Sequence, residues 1–170
     1  VEIADRIRAT ITDRPIPLAT GDCRNVPFLH PRDENGDAPL FTGEWNDDFH
    51  NAVHVLATGE THAYYQDFAD QPAQRVARAL AEGFVYQGEV SAQSGEARGV
   101  KSSSQPPVAF VDFIQNHDQT GNRAQGERLV SLAGAERTQV LLAMLLVSPH
   151  IPLLFMGEEY GETRPFLFFT

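Results

Sequence analysis

The sequence predicts an α/β fold built around a parallel sheet. Two runs of almost uninterrupted apolar residues, 108–114 and 151–156, have the composition of strands that are covered on both faces. Helix-like sequence at 136–147 separates them, and strands that alternate with helices at this spacing indicate right-handed βαβ units. Eight such units close into a barrel of about 250 residues. A chain of 170 residues is therefore predicted to form an open sheet or part of a barrel.

The N-terminal quarter of the chain predicts a helix, a strand and a loop. Apolar side chains recur there at helical spacing, at Ile3, Ala4, Ile7 and Ile11. Pro15 and Pro17 prevent the helix from continuing, and residues 16–20 suit a short strand. Residues 26–43 hold three prolines and a polar turn cluster, which predicts a surface loop before a second extended segment at 39–45.

The middle of the chain predicts two amphipathic helices and a long excursion. Asp47 or Asp48 is expected to cap the first helix, and Gly59 ends it. Its apolar face follows helical periodicity and consists of Phe49, Ala52, Val53, Leu56 and Ala57. The second helix is predicted to begin at Pro72 and to end at Gly83. Residues 88–107 are rich in glycine and serine, which indicates a loop over the surface.

Charge and composition exclude several classes of partner. The net charge of −10 repels nucleic acid and anionic membranes but leaves a neutral ligand unaffected, so no nucleic-acid or membrane partner is expected. Residues 148–150 interrupt the most apolar stretch, which is too short for the roughly 20 unbroken residues of a membrane span. The single Cys23 cannot form an internal disulfide, and no secretory pattern is present, which predicts a cytoplasmic location.

The strongest functional pattern follows the strand predicted at 108–114. Five side chains that can form hydrogen bonds gather within seven positions there: Asn116, His117, Asp118, Gln119 and Asn122. Polar residues just past the C-terminal end of a buried strand are typical of sites on parallel sheets. The alternative interpretation is a turn in which Asn and Asp satisfy local backbone amides. The pattern alone leaves both interpretations open.

A second polar cluster, at residues 45–50, begins the first amphipathic helix. It joins Trp45 to two carboxylates, a combination that suits sugars, although simple helix capping explains it equally well. His50 and His54 stand four residues apart with Asp47 one turn earlier, a spacing that can hold zinc. No glutamate follows His50, so the metalloprotease signature is absent, and ordinary helix histidines are the favoured interpretation.

Several segments resemble malto-oligosyltrehalose trehalohydrolases, which are glycoside hydrolases of the alpha-amylase superfamily. Residues 113–123 (FIQNHDQTGNR) resemble the segment that carries the superfamily's third catalytic aspartate. Residues 45–50, 55–60, 82–89 and 151–159 resemble the same family in the same order, so the resemblance extends over nearly the whole chain. A His-Asp pair alone would indicate only the superfamily, and it is the block at 45–50 that favours this family.

The resemblance implies a partial (β/α)8 TIM barrel, with residues 1–170 forming a fragment of one catalytic domain, roughly its second half. The intact family member hydrolyses the α-1,4 bond next to the terminal trehalose unit of maltooligosyl trehalose and releases trehalose. Two carboxyl groups about 5 to 5.5 Å apart perform the retaining reaction. No cofactor or metal is required.

The resemblance also assigns roles to individual residues. Asp118 matches the third carboxylate, which stabilises the transition state, and His117 would hydrogen-bond the sugar in the cleavage subsite. The segments that contact substrate correspond here to Asn46, Asp47, Asp48, Phe49, His50, His117, Gln119, Thr120, Gly121 and Asn122.

Two departures from the family pattern predict that the isolated chain is inactive. No segment matches the nucleophilic aspartate. The general acid should be a glutamate directly after Thr20, but Gly21 stands there. Asp22 is a poor substitute because successive strand residues point to opposite faces. The alternatives are a catalytically dead sugar-binding relic, an amylase-like or branching activity, and a metal-binding module that uses His50, His54 and Asp47.

Overall fold

The computed structural model describes residues 1–168, and a sheet of four parallel strands forms its centre. The strands are β1 (Ala19–Thr20), β2 (Gly43–Trp45), β3 (Phe110–Asp112) and β4 (Ile151–Pro152). They are adjacent in chain order, and the register joins Thr20 to Glu44 and Glu44 to Phe110. The predicted α/β fold with a parallel sheet is confirmed.

Helices and turns connect these strands. The α-helices are α1 (Glu2–Thr10), α2 (Asp47–Thr58), α3 (Pro72–Glu82), α4 (His117–Gly121), α5 (Leu129–Ala133) and α6 (Ala135–Val147). Short 3-10 turns lie at Pro27–Leu29, Ala63–Phe68, Pro107–Ala109 and Glu158–Tyr160. The helices predicted around α1, α2, α3 and α6 are confirmed. Within the described part of the chain, no helix has both the length and the apolar character needed to cross a bilayer.

The paired parts of the strands are shorter than the apolar runs that predict them. Phe113 and Ile114 are fully buried but lie past the end of β3. Their run continues through Gln115 to Asn116, which is the N-cap of α4. The chain therefore leaves the sheet while it is still in the core. An apolar run indicates that residues are buried, but it does not show that they are hydrogen-bonded in the sheet. The predicted strands are therefore longer than the observed ones.

The cap of α2 differs from the prediction. Asn46 caps this helix, and its side-chain oxygen accepts from the Phe49 amide at 3.2 Å. The expectation that Asp47 or Asp48 forms the cap is wrong, because the helix already begins at Asp47. Both carboxylates therefore lie in the first turn, where their side chains are free to point in different directions. Gly59 ends the helix with φ 75°, as predicted.

The two faces of the sheet have different neighbours. Ile114 follows Phe110 by four residues and packs in the main core with Phe49 of α2 and Leu145 of α6. Strand alternation places residues of the opposite parity on the other face. There the ring of Trp45 lies 5.9 Å from that of Phe113. By the same alternation Gly21 follows β1 on the Trp45 face, whereas Asp22 follows it on the face of Glu44.

Both outer strands have an open edge. Within the described residues, β1 pairs only with β2 and β4 pairs only with β3. The outer surface of α6 also exposes apolar side chains, with Val140 at 68% and Val147 at 82%. Unpaired strand edges and apolar patches promote association between chains.

We therefore expect the isolated chain to self-associate. Sedimentation velocity over a concentration series should show the mean sedimentation coefficient rising with concentration, because both features become buried on association. Lys substitutions at Val140 and Val147 should reduce the association and serve as the comparison. A monodisperse monomer that melts cooperatively at all concentrations would contradict this expectation.

Candidate functional site

A cleft of about 480 Å³ opens beyond the C-terminal ends of β2 and β3. Parallel sheets bind their ligands at this end because the loops that follow the strands converge there. Three carboxylates, one cation and one aromatic ring are among the side chains that line the cleft, together with several amides. The members that matter below are Asp47, Asp67, Asp118, Arg98, Tyr64, Gln119 and Asn122.

Four of the predicted site residues meet in this cleft, and they come from two elements. Asp47 belongs to the first turn of α2, whereas Asp118, Gln119 and Asn122 belong to α4 or its C-terminal end. Gln119 Nε2 donates to Asp47 Oδ1 at 3.4 Å, and Asn122 Nδ2 donates to Asp118 Oδ1 at 2.8 Å. Asp118 is exposed. The cleft thus presents an accessible carboxylate surrounded by amides.

Asn116 shows that the turn interpretation holds for the start of this segment, while the site interpretation stays a prediction. Its side-chain oxygen accepts from the amides of Asp118 at 2.8 Å and Gln119 at 3.3 Å, which is an ordinary helix cap. The cap holds α4 so that the Asp118 and Gln119 side chains reach the cleft. His117 is partly exposed, and its ring lies 6.0 Å from that of Trp45 and 5.4 Å from that of Phe168.

Other predicted contact residues lie in the interior. Asn46, Asp48, Phe49 and His50 are at most 1% exposed, and Thr120 is 3% exposed. Gly121 is also buried; a Cβ there would lie 2.5 Å from the Cβ of Phe168. These side chains lie behind the walls of the cleft. Their contact with substrate stays a prediction.

Asp48 has a supporting role behind the cleft. Its Oδ2 accepts from Asn25 Nδ2 at 2.7 Å and from the amides of Val85 and Tyr86, each at 2.8 Å. Its Oδ1 pairs with Arg98 at 2.6 Å. One carboxylate therefore joins α2 to three segments that are distant in sequence. Asn46 acts similarly, since its Nδ2 donates to Asp112 Oδ1 at 2.9 Å.

The two histidines of α2 are engaged within the protein. His50 Nδ1 lies 3.0 Å from the Ile114 carbonyl oxygen, and His50 Nε2 lies 3.3 Å from the Tyr65 hydroxyl. His54 Nε2 contacts Glu60 Oε2 at 2.7 Å. Burial lowers the pKa of His50 to about 3, so its ring is neutral. Among residues 1–168, no three His, Cys, Asp or Glu side chains are grouped as a metal site would require.

The position predicted for the general acid has open space around it. A Cβ built on Gly21 meets no heavy atom within 4 Å. Asp22 is held away from this space by Arg24, whose Nε lies 2.9 Å from Oδ1 and whose Nη2 lies 2.5 Å from Oδ2. This pairing lowers the pKa of Asp22, so that it is ionised at neutral pH and has no proton to donate. The expectation that Asp22 cannot replace the missing acid agrees with this geometry.

Asp47 is the cleft carboxyl with the most perturbed acidity. Burial raises its pKa from 3.8 to about 6, and the neighbouring charges of Asp48 and Asp118 act in the same direction. Arg98 and the hydrogen bond from Gln119 oppose the shift. Carboxyl groups whose pKa values are pushed upwards in a cleft are typical of functional sites.

Several side chains of the cleft were not singled out by the sequence, and Tyr64, Asp67 and Arg98 are the most important of them. Tyr64 is 41% exposed, and its ring packs at a tilt of 59° against that of Tyr65, with the ring centroids 4.6 Å apart. Asp67 accepts from Ser91 Oγ at 2.7 Å and thereby anchors the loop at 91–96. Arg98 also comes from the predicted excursion at 88–107. The glycine and serine content predicts that residues 88–107 form a loop, but it does not predict which other segments of the protein the loop contacts.

A buried carboxyl lies behind the cleft, on the opposite face of the sheet. Glu44 is 0% exposed, and within the described residues neither of its carboxyl oxygens has a hydrogen-bond partner. His30 Nδ1 approaches its Oε2 only to 3.6 Å. Burial, with repulsion from Asp22 and Asp47, raises the pKa of Glu44 from 4.5 to about 8.

We therefore expect Glu44→Gln to change the pH dependence of stability. The folded chain holds this proton up to about pH 8, whereas the unfolded chain releases it near 4.5, so stability is lost as pH rises between these values. The variant does not lose this contribution to stability. Between pH 4 and pH 7, its free energy of unfolding should therefore rise by about 3 kcal/mol relative to that of the unaltered chain. Urea unfolding at several pH values measures this. Parallel stability curves for the two proteins would contradict the protonated state of Glu44.

A parallel sheet with a cleft at its strand ends fits part of a (β/α)8 barrel. A crystal structure from Salmonella typhimurium, described as that of a candidate alpha amylase, superposes on the whole chain with a TM-score of 0.97 and 78% identity. This chain covers 29% of that one. The predicted partial barrel of the alpha-amylase superfamily is confirmed.

Curated relatives of the chain share one name. The chain is 44% identical to a malto-oligosyltrehalose trehalohydrolase of Rhizobium sp. over 160 residues, or 92% of this chain and 26% of that protein. It is 37% identical to the same enzyme of Saccharolobus solfataricus over 155 residues, or 91% of this chain and 27% of that protein. No family model matches. The resemblance to malto-oligosyltrehalose trehalohydrolases is confirmed, for a chain that spans about a quarter of their length.

Proposed function

We propose that this chain is a segment of a glycosidase barrel that hydrolyses the α-1,4 bond next to the terminal trehalose unit of maltooligosyl trehalose. One observation carries the proposal: Asp118 projects into a cleft that Asp47, Gln119 and Asn122 also line, at the strand ends where barrel enzymes act. The relatives' names supply the substrate. Residues 1–170 would then belong to one catalytic domain.

In this proposal the residues of the cleft have separate roles. Asp118 stabilises the positive charge that develops on the sugar in an oxocarbenium-like transition state. The amides of Gln119 and Asn122 hydrogen-bond sugar hydroxyls, and the exposed ring of Tyr64 packs against the apolar face of a sugar. The attacking carboxylate must come from a segment outside this chain.

The single free cysteine, Cys23, is in keeping with the reducing cytoplasmic location predicted from the sequence.

Gly21 favours a second candidate function, a sugar-binding protein without catalysis. Hydrolysis in this superfamily requires a proton donor at the position of Gly21, and Asp22 is ionised and paired with Arg24. Such a relic would bind the same oligosaccharide through the same cleft and release no product.

A chimera tests the proposed function. In it, residues 1–170 of this chain replace the matching segment of the Salmonella typhimurium protein, and Gly21→Glu supplies the proton donor. We expect free trehalose from maltooligosyl trehalose and much slower cleavage of a maltooligosaccharide of equal length. Asp118→Asn in the same chimera should abolish the release. Equal cleavage of both substrates, without release of trehalose, would favour an amylase-type activity and overturn the proposal.

A further inference from the structure

The charges in the cleft are unevenly balanced. Asp47, Asp67 and Asp118 line it, and Arg98 is the one cation among the described side chains that line it. Asp67 is already satisfied by the Ser91 hydroxyl at 2.7 Å and by a backbone amide at 2.9 Å. Arg98 is therefore the cation that could offset the negative charges of both Asp47 and Asp118.

Arg98 is committed to other partners. Its Nη2 pairs with the buried Asp48 at 2.6 Å, and its Nε donates to the Cys23 carbonyl oxygen at 3.1 Å. Its guanidinium also lies over the ring of Tyr86, 5.3 Å from the centroid. The main ion pair of Arg98 is therefore with Asp48, and its charge offsets those of the cleft carboxyl groups only weakly. Two like charges that share one cleft favour protonation of one of them, and Arg98 weakens this effect at Asp47 without removing it.

The surroundings of the two carboxyl groups decide which one holds the proton. Asp118 is exposed and accepts a hydrogen bond of 2.8 Å from Asn122 Nδ2. Asp47 is partly buried in the first turn of α2, and its contact with Gln119 Nε2 is long, at 3.4 Å. Asp48 and Asp118 add negative potential near Asp47. The helix N-terminus favours the charged form, but burial and these two neighbouring carboxyl groups act against it.

We propose that Asp47 meets a bound sugar as a neutral carboxylic acid that donates a hydrogen bond to a ring or glycosidic oxygen, while Asp118 accepts hydrogen bonds from the sugar. This inference rests on the proposed function, because the sugar is the ligand that the function supplies. Ring and glycosidic oxygens only accept hydrogen bonds, so they need a donor. Asn122 Nδ2 already donates to two oxygens of Asp118, and Gln119 Nε2 donates one of its two protons to Asp47, so few donors are left for these oxygens. The pKa of about 6 for Asp47 agrees with this assignment.

Sugar affinity should therefore depend on pH. The fluorescence of Trp45, the single tryptophan, reports binding of maltotriosyl trehalose to the whole chain at micromolar concentration. We expect the affinity to fall by about tenfold per pH unit above pH 6, as the proton leaves Asp47. Asp47→Asn keeps a donor at every pH, so its affinity should be constant from pH 5 to 8. Asp37→Asn, in the exposed loop before β2, should behave as the unaltered chain does.

A second measurement tests the inference even if an isolated variant binds too weakly or folds too poorly for a titration. In the Gly21→Glu chimera, the KM for maltooligosyl trehalose should rise with pH when Asp47 is present and stay constant when Asn replaces it. Affinity and KM that are independent of pH with Asp47 present would overturn the inference and leave the proposed function intact. Absence of both binding and turnover at every pH would instead overturn the proposed function, and the inference with it.

Discussion

A glutamate at position 21 is expected to raise the hydrolytic rate of the chimera by about 10² to 10⁴-fold over the same protein with Gly21. This range is the usual contribution of a general acid that protonates the leaving oxygen. The structure permits the substitution, since a Cβ at this position meets no heavy atom within 4 Å. Position 21 lies on the Trp45 face of the sheet, so the new side chain starts on the face that carries Trp45 and His117.

Two controls separate proton donation from other effects of the new side chain. Gly21→Gln has the shape of glutamate but no acidic proton, and it should leave the rate close to that of Gly21. Asp22→Asn should have little effect in the restored chimera, because Asp22 is paired with Arg24. Equal gains from Glu and Gln would contradict the assignment of position 21 to the general acid.

Removal of the Asp48 carboxylate is expected to cost about 3–5 kcal/mol of folding free energy. Asp48→Ala would leave Arg98 without its partner at 2.6 Å and the amides of Val85 and Tyr86 without their acceptor. Buried amides that lose their acceptor carry the full cost of desolvation, and the partly buried Arg98, whose side chain is 21% exposed, loses its ion-pair partner. Chemical denaturation of the chimera, monitored at the transition of the grafted segment, measures the loss.

The neighbouring residue supplies the matched comparison. Asp47→Ala removes a carboxyl group from the same helical turn, but that group lines the cleft and makes one long hydrogen bond. Its cost in stability should be below about 1 kcal/mol, while sugar binding should weaken. If Asp48→Ala and Asp47→Ala destabilise the protein equally, the division of roles between these two residues is wrong.

Much of the fold could be predicted from the sequence because periodicity and breakers act locally. The helix that ends at Gly59 has its apolar residues at helical spacing, and a glycine with φ 75° terminates it, as the pattern predicts. The helix that begins at Pro72 has the proline at its first position. The strand ends were less predictable, because Phe113 and Ile114 are apolar and buried without being paired in the sheet.

The site could be predicted only in part. The segment after β3 was recognisable because Asp118 and its polar neighbours follow a buried strand directly. In contrast, Tyr64 and Arg98 reach the cleft from loops whose composition contains no sign of their destination. The block at 45–50 predicted contact with a sugar as a unit, yet the structure separates its members between the cleft and the interior.

The sequence by itself determined the α/β class, the resemblance to the trehalohydrolases, the polar segment with Asp118 after a buried strand and the glycine at position 21. These properties depend on residue identity and on spacing over a few positions. Only the tertiary structure decided that Asp47 faces the cleft while Asp48 is fully buried. Successive residues of a helix point about 100° apart, and what each one meets depends on Asn25, Tyr86 and Arg98, which are distant in sequence. Packing between distant segments therefore assigned the roles of two adjacent and chemically identical side chains.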